Sequence, residues 1–162
     1  TIVKGLGISD LRTIGWVSAI PWLAAIGCMT WVGRSADRRR ERRYHVAVPA
    51  LAAAAGLAFA VPMGHEPVFA IAALTVALSG LLSALPLSWS LSTGFLGGAA
   101  AASGIALINS IGNLSGFVSP YLIGFVRDQT GRTDLGLYLL AALMTVGALL
   151  VLRKVPAELV DR

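Results

Sequence analysis

The chain has 162 residues, of which 56% are hydrophobic and only 13% charged, about half the charge content of a soluble domain. A mean hydropathy of +0.77 and charges crowded into short islands argue against a soluble enzyme domain. The net charge of +5 comes mostly from one arginine cluster beside apolar spans, which points to membrane topology and not to nucleic-acid binding.

A helix needs roughly 20 apolar residues to cross about 30 Å of hydrocarbon. Five runs reach or approach that length, at about 13–32, 46–62, 68–89, 98–126 and 135–152. None contains Asp, Glu, Lys, Arg or His. They lack strand alternation and are rich in Ala, Leu and Gly, so the expected fold class is an all-α membrane protein with five transmembrane helices. The connections are GRSADRRRERRYH (the arginine-rich loop 33–45), MGHEP, SLSTGFLG and RDQTGRTDLG. None can hold a soluble domain, so function is expected within or between the spans. The chain begins at Thr1 without a signal-peptide pattern, and residues 1–162 read as part of a longer polypeptide.

In the first run, Pro21 and Trp22 lie mid-span, and Trp16 and Trp31 sit near the ends as interface-belt candidates. The single cysteine, Cys28, excludes an internal disulfide. Small residues dominate PALAAAAGLAFA in the second run and GGAAAASG in the fourth, surfaces that let helices approach closely in lipid. His65 and Glu66 form part of a short outer loop, with too few ligands for a metal. The fourth run carries Asn109, Gly112, Asn113 and Gly116 at i, i+3, i+4 and i+7, one helical face. Two amides and two glycines should face protein or a water-filled cavity and not lipid. Gly112 and Gly116 also form a GxxxG step. Pro120, farther along, can bend or break the helix. No nucleotide loop, catalytic triad or metal constellation occurs, so neither an enzyme nor a cofactor is expected.

Orientation follows from Lys and Arg. The loop holds Arg34, Arg38, Arg39, Arg40, Arg42 and Arg43, and the C-terminal tail adds Arg153, Lys154 and Arg162. The opposite side holds Lys4, Arg12, Arg127 and Arg132. The arginine loop and C-terminus are therefore expected in the cytoplasm.

The string GRSADRRRERR resembles the cytoplasmic loop motif of the major facilitator superfamily, matched by Gly33, Asp37, Arg38 and Arg42. Arg40 departs from it, standing where the family has a glycine at the tight turn. The resemblance implies that Asp37 gates by bonding to a helix start in the other half of the transporter. The residues themselves also allow a local salt bridge. ASGIALINSIGNLSGFVSPYLIGFVRDQTG is similar to the eleventh helix of the anion:cation symporter family within that superfamily. GWVSAIPWLAAIGCMTWVGRSADRRRERRYH resembles that family's eighth helix and following loop. The implied architecture is helices eight to twelve of a twelve-helix transporter, part of its C-terminal six-helix bundle. The implied function is import of a small organic anion, such as a sugar acid or carboxylate, with proton symport.

By the same resemblance Asn109, Ser88 and Trp89 reach the central cavity, joined by Asn113 and Trp22 as further substrate-binding candidates. Proton-coupling groups would lie in the N-terminal half, and the present chain alone would be inactive. A rival reading is a standalone five-span assembly subunit that acts through helix packing.

Overall fold

The computed structural model describes residues 11–95, 99–132 and 134–156. Five long helices form: α1 (Leu11–Arg39), α2 (Arg43–Ala60), α3 (Pro67–Phe95), α4 (Ala99–Thr130) and α5 (Asp134–Lys154), with a 3₁₀ turn at Pro62–His65 between α2 and α3. No strand occurs among the described residues. Lys4 and Arg162 of the charge count, and Gly97 and Gly98 of the fourth run, lie outside the described residues.

The helices outrun the apolar stretches that predicted them. α1 continues through the arginines to Arg39 and α2 begins at Arg43, so the expected loop 33–45 is mostly helix. The reason is that a helix satisfies its own backbone at any depth and can run from hydrocarbon into the headgroup layer, where arginines reach water. α4, with 32 residues, is about 48 Å long at 1.5 Å per residue, well beyond about 30 Å of hydrocarbon. Among the described residues, α2, α3, α4 and α5 are long and apolar enough to cross a membrane. α1 has the length, with 29 residues, but is not among those four. The chain is an all-α membrane protein.

α3 is the centre of the packing, with α1 and α2 against it. α2 also packs on α5, and α4 leans mainly on α5 with a slight contact to α3. Much of the core is alanine: Ala47, Ala53, Ala54, Ala70, Ala77 and Ala84 are buried. Glycine brings α2 and α3 into backbone contact. A Cβ on Gly56 would lie 2.6 Å from the Ala73 carbonyl oxygen, and one on Gly80 would overlap the Pro49 carbonyl and lie 2.8 Å from the Ala53 nitrogen. Lipid tails are as apolar as leucine, so such close van der Waals contact is what holds helices together here. The small-residue surface of the second run is therefore used. Among the described residues the Gly112/Gly116 step has no neighbour: a Cβ at either glycine would meet nothing within 4 Å.

Val32, Ala36, Val46 and Leu87 form a buried cluster with Cys28 and Val151 packed on it. The ends of α1, α3 and α5 thus meet the start of α2 at one end of the bundle. The arginine connection and the end of α5 share that end, as the charge count assumed.

The packing makes a direct comparison possible. Gly80→Ala is expected to cost about 1–3 kcal/mol through overpacking. Gly112→Ala, with open space around it, is expected to be neutral or slightly stabilising, because alanine favours helix. Thermal unfolding of both variants in one detergent checks this, and equal losses would sink the close-contact account.

Candidate functional site

Several hydroxyls in the spans bond carbonyls of their own helices. Thr75 donates to the Ile71 carbonyl at 2.7 Å, Ser83 to Ser79 at 2.6 Å, Ser110 to Ala106 at 2.8 Å, Ser115 to Gly112 at 2.6 Å and Thr145 to Ala141 at 2.8 Å. The amides of Asn109 and Asn113 differ. Both residues are exposed on α4, and neither side chain hydrogen-bonds among the described residues. None of the apolar window of α4 is buried. Pro120 does not break α4, which runs on to Thr130, but its missing N–H leaves the Gly116 carbonyl without its helical donor. One face of α4 therefore presents two amides and a carbonyl without its usual helical donor, with no bulk at Gly112 and Gly116.

The other candidates lie on α3 and α1. Ser88 and Trp89 are half-buried near the arginine end of α3. The Ser88 hydroxyl donates to the Leu85 carbonyl at 2.6 Å, so in this conformation it offers a ligand only lone pairs. Trp22 is 57% exposed in mid-α1. No hydrogen bond among the described residues joins Asn109 or Asn113 to Ser88, Trp89 or Trp22.

At the arginine end the turn forms despite the departure from the motif. Arg40 adopts φ of 50°, the left-handed conformation usually left to glycine. The Glu41 N–H donates to the Ala36 carbonyl at 3.2 Å and the Arg40 N–H to the Asp37 carbonyl at 3.4 Å, together the Schellman pattern. A Cβ on Gly33 would meet nothing within 4 Å. The carboxylate of Asp37 is exposed and forms no local salt bridge among the described residues. Arg38 is likewise exposed and Arg42 half-buried.

Four residues here escaped the sequence reading. Glu41 accepts the Tyr44 N–H at 2.6 Å, capping the start of α2, and meets His45 Nδ1 at 2.6 Å. His45 Nε2 bonds Ser35 Oγ at 3.0 Å, tying α2 to α1. Arg43 donates through Nη2 to the Leu152 carbonyl, capping the end of α5. The signal for the first contact was present in ERRYH, an acid three and four residues before two helix-start groups. The Arg43 contact spans most of the chain and left no local trace. At the opposite end Arg132 pairs with Asp134 at 3.1 Å, and that hydrogen bond, with the carboxylate charge, holds the guanidinium pKa above its ordinary value.

No protein-family profile matches the chain, and no solved structure matches it. Curated proteins do. It is 45% identical over 152 residues to a protein of Agrobacterium vitis named "Putative tartrate transporter", covering 93% of this chain and 33% of that one. It is 40% identical over 151 residues to a quinolone resistance transporter of Acinetobacter baumannii, covering 93% of this chain and 34% of that one. It is 35% identical over 146 residues to the inner membrane transport protein RhmT of Escherichia coli, covering 90% of this chain and 34% of that one. The chain spans about a third of the length of these relatives. It is related to bacterial membrane transporters, in keeping with the resemblance in its sequence and with part of such a transporter.

The Arg40 turn generates a test. A non-glycine residue in the left-handed region costs roughly 1–2 kcal/mol, partly offset because glycine gains freedom in the unfolded chain. Arg40→Gly is therefore expected to raise the melting temperature slightly, by no more than about 1 kcal/mol in stability. A clear loss would show that the Arg40 side chain makes a contact worth more than the turn strain.

Proposed function

We propose that this chain is the C-terminal portion of a major facilitator transporter, contributing part of its six-helix bundle. That transporter would move a small organic anion across a bacterial inner membrane by alternating access. The carrying observation is the open polar face of α4. An amide facing hydrocarbon without a partner is costly, and the described residues of this chain supply none. A water-filled substrate path between two bundles relieves that cost and gives the amides work.

In this reading the Asn109 NH₂ group donates to a substrate carboxylate or hydroxyl. Asn113, one turn on, serves the same face or bonds a helix of the other bundle. Trp89 and Trp22 supply apolar wall, and the Ser88 oxygen accepts from a substrate hydroxyl. Asp37, exposed beyond the end of the first apolar run, is available to the N-terminus of a helix elsewhere in the polypeptide, where a carboxylate is favoured by about 0.3–1 kcal/mol. The arginine end faces the cytoplasm by the charge count. The apolar runs hold no Asp, Glu, Lys, Arg or His, so in this reading proton coupling and the cation that meets the anion belong to the rest of the transporter. The tartrate name of one relative supports an anionic substrate, whereas the quinolone name of another keeps the substrate class a matter for assay.

The test is Asn109→Ala in the complete transporter. Losing a hydrogen bond to a charged group costs about 1.5–3 kcal/mol, so anion affinity should fall roughly 10- to 100-fold with membrane insertion intact. Unchanged uptake and affinity would remove Asn109 from the site. If the α4 face is instead an assembly surface, the same variant changes oligomer size in detergent and leaves uptake alone.

A further inference from the structure

At the arginine end, a depression on α1 adjoins a second one between α1 and α2, and the two form one groove. The outer one has a volume of about 430 Å³ and is lined by Trp31, Arg34, Ser35, Arg38 and Arg39. These residues fall at i, i+3, i+4, i+7 and i+8, a single face of α1. The inner one, about 240 Å³, shares Trp31, Ser35 and Arg39 and continues onto Val48 and Pro49 of α2. The Ser35–His45 hydrogen bond of 3.0 Å joins the two helices within it.

Three features set what this groove accepts. First, Arg34, Arg38 and Arg39 are exposed and form no ion pair among the described residues. Asp37 and Glu41 are the carboxylates nearest in sequence; Asp37 is unpaired and Glu41 is engaged by His45. The mouth therefore carries a net positive charge, three guanidinium groups against one free carboxylate. Second, the first apolar run ends at Val32; hydrocarbon ending there would put the guanidinium groups at headgroup depth and Trp31 at the acyl boundary. Third, the inner part exposes mostly apolar surface, and Trp31, Val32, Val48 and Pro49 line it together with Tyr44 and His45.

We propose that this groove binds one anionic phospholipid, its phosphate diester held by the guanidinium forks of Arg34 and Arg39 and the start of an acyl chain lying along Trp31, Val48 and Pro49. Arginine is suited to this because its planar fork matches two phosphate oxygens at once. A free phosphate would leave the apolar part unused. A zwitterionic lipid would bring its own cation against three arginines. Basic pockets between helices at a cytoplasmic membrane face are suited to anionic headgroups. The site is separate from the α4 face, and its test does not depend on transport.

The experiment uses the complete polypeptide in mild detergent, with lipid retention read by native mass spectrometry and melting temperature read in parallel. The probes are phosphatidylglycerol, phosphatidylcholine and glycerol 3-phosphate. Phosphatidylglycerol should be retained and raise the melting temperature, and the other two should do neither. Arg34→Gln with Arg39→Gln should weaken phosphatidylglycerol binding roughly tenfold or more, from about 1 kcal/mol per basic residue. Arg34→Lys with Arg39→Lys should keep most of it. Arg153→Gln with Lys154→Gln, an equal loss of charge elsewhere at the same end, should change it less than about twofold.

Equal loss from both glutamine pairs would replace the site with a diffuse basic field and overturn the proposal. So would equal binding of glycerol 3-phosphate, which would make this a phosphate site. A groove pair that lowers the melting temperature without lipid and leaves lipid retention unchanged would show that these arginines pair with a protein carboxylate instead.

Discussion

Polar groups in hydrocarbon must find partners inside the protein, and this requirement governs the rest of the structure. The chain meets it in two ways. Among the described residues its backbone is almost entirely helical, and several span hydroxyls fold back onto carbonyls one turn earlier, as at Ser83 and Thr145. Serine and threonine can do this because their oxygen sits one bond beyond Cβ, within reach of the preceding turn. The two asparagines of α4 do not. Their amides carry two donors and an acceptor each, and α4 leaves them open, along with the carbonyl freed by Pro120.

That contrast separates two kinds of helix. α2 and α3 are joined through Gly56 and Gly80 with the backbones in contact, and hydroxyls of α3 such as Thr75 and Ser83 bond carbonyls of their own helix. α4 rests mainly on α5, where Ile123 lies 3.1 Å from the place of a Gly136 Cβ, and leaves its polar face without a neighbour. A helix that is both polar on one face and lightly held fits a moving boundary better than a packed core. Rocking motions need surfaces of this type on each bundle.

The arginine end is organised differently. Arg40 closes the turn in a strained conformation, Glu41 and His45 hold the start of α2 to α1, and Arg43 reaches across to α5. A shift of the loop would therefore pull on three helices together. This is also where Asp37 and the unpaired guanidinium groups are presented, so contacts made there with headgroups or with another bundle would be felt along α1 and α2. Ser88 and Trp89 lie toward this same end of α3, which brings one part of the proposed site to the end that carries Asp37, without any hydrogen bond among the described residues linking the two.

The sequence by itself determined the helical class, the approximate spans and the shared face of Asn109, Gly112, Asn113 and Gly116. Each of these depends only on local composition, length and the 3.6-residue period, which need no knowledge of neighbours. It also carried the resemblance to transporters through contiguous strings in α1 and α4. It was misleading about the loop 33–45, because hydropathy marks where hydrocarbon ends and not where a helix does. Which small-residue surface is used was decided only in three dimensions: Gly56 is packed against Ala73 and Ala77, whereas Gly112 and Gly116 are free. The same holds for the cap that Arg43 places on Leu152, and for the groove in which Trp31 and Arg39 meet Val48 and Pro49. Those contacts join residues from separate helices, and only the packing of one helix on another brings them within reach.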